Sequence, residues 1–119
     1  MKISVDNKAL SYFALIDSGA DFCIFDAEIG ENLGLKIKSG SRENFGGIQK
    51  RGTLESEALA YLHTVGIEVG GWSYKTTVGF SYDIAKYGCG ILGQKGFFNV
   101  FEVKFDLLKE QIELKFRLN

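Results

Sequence analysis

Apolar and polar residues alternate cleanly near the end of the chain. Ile112, Leu114 and Phe116 interleave with Gln111, Glu113 and Lys115. A period of two marks a half-buried strand. With residues 103–107 it predicts a hairpin turning around Lys109 and Glu110. The same logic reads residues 3–5 and 10–16 as two strands joined at Asp6, Asn7 and Lys8, all good turn residues. Residues 22–25 read as a short apolar strand. Residues 54–62 have helical propensities, yet Thr64, Val65, Ile67 and Val69 continue the run with β-formers, so 54–69 reads as one or two strands. Gly70 and Gly71 then turn the chain, and residues 72–80 return. Residues 37 onward carry strand character, Phe45 to Ile48 read as a glycine-bearing hairpin tip, and residues 89–92 look like a buried strand.

Two segments depart from this rhythm. Asp26 is suited to cap a helix, Glu28 complements the helix dipole in the first turn, and Ile29 and Leu33 share a face before Gly34 stops it. Residues 26–34 are therefore a short helix. Residues 94–101 are predicted as a second, with an apolar face. The sum is a mainly β domain, a closed or partly closed β-barrel with one or two short helices.

The 119 residues suit one domain, taken as residues 1–119, with a single core. A net charge of −1 provides no basic footprint for nucleic acid or an anionic membrane. No apolar run reaches the ~18 residues of a membrane-spanning helix. The first residues lack the apolar stretch of a signal peptide, and Cys23 and Cys89 do not make a disulfide framework. A cytoplasmic location is the default expectation, and Met1 favours a chain translated as it stands. The single His63 reads as structural or exposed, and with two lone cysteines it does not suggest a metal site. Cys23 and Cys89 are read as buried free thiols, with a redox pair beside them as the alternative.

The chemistry concentrates at Asp17-Ser18-Gly19-Ala20-Asp21, where the apolar run Ala14-Leu15-Ile16 delivers a carboxylate into a turn of small residues. Taken alone, that pattern is also what an Asx turn looks like. Two further elements follow in order: Phe45-Gly46-Gly47-Ile48, then Gly90-Ile91-Leu92-Gly93. Leu33-Gly34-Leu35 closes the short helix that lies between the Asp17 motif and Phe45, and a hairpin ends the chain. Together these segments resemble the retropepsin-like aspartic peptidases over nearly the whole sequence.

The resemblance implies an acid-protease barrel in which Asp17 is the catalytic carboxylate. Ser18 would bond across a dimer axis, and Gly19 would let backbone and substrate approach closely. Ala20 keeps the cleft wall small. Asp21 is either an acceptor for substrate N–H groups or a local structural cap. Gly46, Gly47 and Ile48 match a flap tip, with an ordinary hairpin as the other reading. Ile91 lines a side-chain pocket or belongs to the core. Two close carboxylates cannot both ionise, so the pair shares a proton, one member activating water and the other polarising the scissile carbonyl. The chain contains one such motif. The resemblance therefore implies a homodimer, Asp17 facing Asp17′ across a two-fold axis, acting on a peptide or protein substrate without cofactor or metal. Gln94 stands where many viral members carry an arginine that pairs with the acid at the position of Asp21. The arm before the first strand is also short, so the dimer is expected to differ from the viral one. The alternative function is a catalytically silent module that binds peptides by strand addition or mediates dimerisation.

Overall fold

The structure, a computed structural model, describes residues 1–45, 58–84 and 88–117. It is mainly β. Eight strands form one curled sheet: β1 (Lys2–Val5), β2 (Lys8–Ser11), β3 (Ala14–Ile16), β4 (Ile24–Asp26), β5 (Ser41–Phe45), β6 (Ala58–Val69), β7 (Trp72–Ser81) and β8 (Gly90–Leu92). Their order is β2-β1-β6-β7-β4-β8-β3, with β5 added beside β6. β9 (Phe101–Asp106) and β10 (Gln111–Phe116) make a separate two-stranded sheet. The large sheet curls into a half-barrel, and its end strands β2 and β3 are not paired with each other.

β6 and β7 form the spine, antiparallel from Tyr61↔Phe80 to Val69↔Trp72. Strand, not helix, is thus the outcome for the described part of the 54–69 run. The far half of β7 is continuously buried from Val78 to Ser81 because it lies between β6 and β4, with side chains on both faces. Phe80 meets Phe25 edge to face at 5.9 Å, and both are fully buried with Phe97, Phe101, Ile3 and Val78. Such aromatic pairs add about 0.5–1.5 kcal/mol beyond the area they bury.

The predicted first helix is present as α1 (Ala27–Asn32). The Asp26 carboxylate accepts the Glu28 N–H at 3.0 Å, and Gly34 takes φ +92° just past the end. Its buried face is set by Gly30, where a Cβ would come within 2.5 Å of Ile37 and 2.9 Å of Phe80. Only a glycine lets the helix lie this close to the sheet.

Four expectations change. The strand predicted over 10–16 is two strands, because Tyr12 turns inward. Its ring packs against Phe25 at 5.6 Å, and its hydroxyl accepts the Asp26 N–H. The chain thereby switches from pairing β1 to pairing β8. Residues 37–39 form a single 3-10 turn before β5 begins at Ser41. Residues 94–100 are a run of turns leading into β9 at Phe101, not a helix. Gly96 has φ +104°, and the amides of Phe98 and Asn99 reach back five residues to Gly93 and Gln94. In the last strand Leu114 and Phe116 are half-buried, but Ile112 is exposed, because the hairpin extends beyond the body of the domain. Among the described residues, no helix is long and apolar enough to cross a membrane.

Candidate functional site

β3 runs parallel to β8 in the register Ala14↔Gly90, Leu15↔Ile91, Ile16↔Leu92. Asp17 is the first residue past the end of β3. Its N–H donates to the Leu92 carbonyl at 2.9 Å, so the strand ladder carries its bonding one residue into the turn. The turn closes when the Ala20 N–H donates to the Asp17 carbonyl at 3.1 Å. The Asp17 carboxylate also accepts the Gly19 N–H at 2.9 Å. The local Asx turn is therefore real, and it fixes the carboxylate while leaving it half-buried rather than sealed away.

The remaining groups of this turn are held from below by residues 92–95. The Gln94 N–H donates to the Ala20 carbonyl at 2.8 Å, and the Lys95 N–H to the Asp21 carbonyl at 3.0 Å. The Gln94 side-chain amide donates to the Ser18 carbonyl. Cys23 N–H returns a bond to the Lys95 carbonyl at 3.3 Å, completing a bridge between Phe22 and Lys95. The close fit requires Gly93. A Cβ there would stand 2.6 Å from the Phe22 carbonyl oxygen and 2.7 Å from that of Ala20, both backbone atoms. Gly90 is similarly confined by Tyr12 and Phe25. The two glycines of Gly90-Ile91-Leu92-Gly93 are contact residues for the segments that carry Asp17.

The turn opens onto two grooves. The first, of about 600 Å³, is lined by Asp17, Gly19, Ala20, Asp21 and Ile91, all of them candidates from the sequence. It also takes in Leu15, Phe22, Ile24, Phe45, Ile84 and Cys89, which sequence reasoning did not select. Leu15 is the ladder partner of Ile91, so the register that puts Ile91 on the groove puts Leu15 there too. Ile91 is half-buried and faces the groove. The second groove, of about 1040 Å³, shares Gly19, Asp21 and Phe22 with the first. Ser18, Gly19 and Asp21 line it with Gln94, Lys95, Asn44 and Thr76. Gly46, Gly47 and Ile48 lie outside the described residues.

Gln94 does not replace the arginine–acid pair of the viral pattern; its side chain braces Ser18 instead. Among the described residues, the ion pairs join Glu102 to Lys115 and Arg117, and none involves Asp21. Cys23 and Cys89 are both free thiols, but Cys89, expected to be buried, is only half-buried. Cys23 is buried, and burial pushes its thiol up to about 11, partly opposed by the Gly93 N–H that points at its sulfur. It is a protonated packing residue at neutral pH. His63 is structural: its Nε2 bonds with the Ile37 carbonyl at 2.8 Å and its ring rests on Phe80. Among the described residues, no three His, Cys, Asp or Glu side chains converge as a metal-binding set.

No family model matches the chain, and neither does any curated protein or solved structure.

Proposed function

We propose that this chain is one half of a homodimeric aspartic endopeptidase of the retropepsin-like type, in which Asp17 from each copy contributes one carboxylate. The observation that carries this reading is the setting of Asp17. It sits at the end of a strand, its turn is braced by backbone bonds from a distant segment, and its carboxylate opens onto a groove wide enough for a side chain. Positioned groups of this kind supply catalysis because their geometry is set before substrate arrives.

With Asp17 and Asp17′ brought together, the pair holds one proton. The ionised carboxylate takes a proton from water as its oxygen adds to the scissile carbonyl carbon. The protonated carboxylate donates to the carbonyl oxygen. Collapse of the tetrahedral adduct breaks the C–N bond, the departing nitrogen takes a proton, and the products are a free acid and a free amine. Gly19 keeps the approach open above the carboxylate, and Asp21 offers an acceptor to the backbone N–H groups of an extended peptide.

The test compares wild type with Asp17→Asn on a diverse peptide library from about pH 4 to 7. Cleavage is read by mass spectrometry and oligomeric state in parallel. The substitution should lower cleavage by about 10²–10⁴-fold, the usual worth of a positioned acid or base. The fold should survive, since asparagine retains an oxygen for the Gly19 N–H. A well-folded dimer that binds peptides and never cuts them would instead establish the silent peptide-binding module.

A further inference from the structure

We propose that Asp83 is a positioning residue of this site. It ties the strand pair that carries Phe45 to the turn that carries Ile84, and so holds together the apolar wall of the groove that Asp17 lines. The inference rests on the proposed reading and deepens it, by separating a residue that sets substrate affinity from the turn that carries the chemistry.

β6 begins at Ala58, but β7 ends at Ser81, and their pairing opens only at Tyr61↔Phe80. Among the described residues, the first part of β6 therefore has β5 on one edge and no strand on the other. A backbone amide on such an edge needs another acceptor. Leu59 donates its N–H to the Asp83 carboxylate at 3.0 Å. The carboxylate stands in for the carbonyl that a longer β7 would have offered. Asp83 is itself held by Ser81, whose fully buried hydroxyl oxygen accepts the Asp83 N–H at 3.0 Å. A serine that bonds the backbone two residues on closes a turn. Here the turn leaves Tyr82 and Asp83 exposed and returns Ile84 to the interior.

Both ends of this link reach the groove. Ile84 directly follows Asp83. Phe45 pairs with Ala58, the neighbour of Leu59. Both side chains line the groove of about 600 Å³ together with Asp17. The Asp17 turn, by contrast, is braced by residues 92–95, which take no part in the Asp83 link. Losing the Asp83–Leu59 bond should thus loosen the wall without moving the carboxylate. A wall buries a substrate side chain equally in the ground state and the transition state. Removing binding of that kind raises KM and leaves kcat unchanged. One exposed hydrogen bond is worth about a 2- to 10-fold change in an equilibrium constant, which sets the size of the effect.

The experiment compares Asp83→Ala, which removes the acceptor, with Asp83→Asn, which keeps an acceptor oxygen. The side chain is exposed, so neither change leaves a cavity. Steady-state kinetics are measured on the peptide that wild type cuts best, and hydrogen exchange is followed at the Leu59 amide. Asp83→Ala should raise KM by about 2- to 10-fold, keep kcat within about twofold and speed exchange at Leu59. Asp83→Asn should stay near wild type in all three. An unchanged KM in Asp83→Ala overturns the proposal. So does a fall in kcat at constant KM, and so does an Asp83→Asn protein as impaired as Asp83→Ala. Affinity is also read without cleavage, by anisotropy, on the Asp17→Asn protein with and without Asp83→Ala. The probes are fluorescein-labelled peptides of Ser, Thr and Ala with one central Leu or Phe. If wild type cuts nothing but Asp83→Ala weakens this binding, the positioning role stands and the peptidase reading falls. Cleavage with KM and affinity indifferent to Asp83→Ala does the reverse. Peptides that neither bind nor are cut overturn both.

Discussion

The Asp17 turn and the C-terminal hairpin are both short loops between strands, yet they are held in opposite ways. The turn is fixed by a segment over seventy residues away. Gln94 alone bonds to Ser18 and Ala20, and Gly93 fits beneath with no room for a methyl group. The hairpin depends on its neighbours in sequence. β9 and β10 pair from Gln111↔Asp106 to Phe116↔Phe101, and the Asp106 carboxylate accepts the Lys109 N–H to close the loop. One face of the hairpin is apolar throughout. At its base Phe101 is buried and Phe116 stacks on Trp72 at 4.8 Å, but Phe105 and Ile112 are exposed, and Leu107 and Leu108 at the tip are 89% and 96% exposed. The Asp17 turn is overdetermined by tertiary bonds. A hairpin that closes on itself requires tertiary support only where it joins the body.

This contrast is open to attack by substitution. The largest effect is expected from Gly93→Ala, since the added methyl meets two backbone carbonyls that cannot move without dismantling the turn. Overpacking of this kind costs about 1–3 kcal/mol, read as a lowered urea midpoint, and cleavage should fall with it. If Gly93→Ala unfolds at the wild-type midpoint, the turn is not braced as described.

Gln94→Ala probes one bond of the brace. It removes the donor to the Ser18 carbonyl, an exposed contact worth about 0.5–1.5 kcal/mol. The proposed cleavage should suffer more than stability, because the loosened turn carries Asp17. Steady-state kinetics beside a denaturation curve separates the two. Equal stability and equal kcat in Gln94→Ala would show that the main-chain bonds suffice.

The smallest effect belongs to the hairpin tip. Changing Leu107 and Leu108 together to Ser should shift folding stability by less than about 0.5 kcal/mol, the usual range for exposed positions. A larger loss in chemical denaturation would mean that the tip is packed and the contrast with the turn is overdrawn.

Much of this structure was legible beforehand, and the misses share a cause. The cap at Asp26, the stop at Gly34, the Gly70-Gly71 turn and the closing hairpin all follow from residues within a few positions of one another. The helix expected over 94–101 failed because Gly96 takes a backbone angle that a helix does not allow, so that the preceding residues can meet the Asp17 turn. Within 10–16, the local pattern favours one strand, and only the Phe25 ring, waiting across the core, makes Tyr12 turn inward. At the site, Asp17 and its small neighbours stood out as a motif. Phe22 did not, since a phenylalanine before a buried strand looks like any core residue until Gly79 and Phe45 are seen around it.

By itself the sequence determined the mainly β class, the helix capped by Asp26, the turns and the position of the carboxylate-bearing motif. Each of these depends on periodicity, propensity or a side chain bonding to its own near backbone, and such forces act over a few residues. Only the tertiary structure decided that residues 92–95 underpin that motif, that Gly90 and Gly93 had to be glycines, and that Phe22 lines both grooves beside the motif. Those features arise where distant segments share one volume, and close packing admits one arrangement of backbone and side chains that no local stretch encodes.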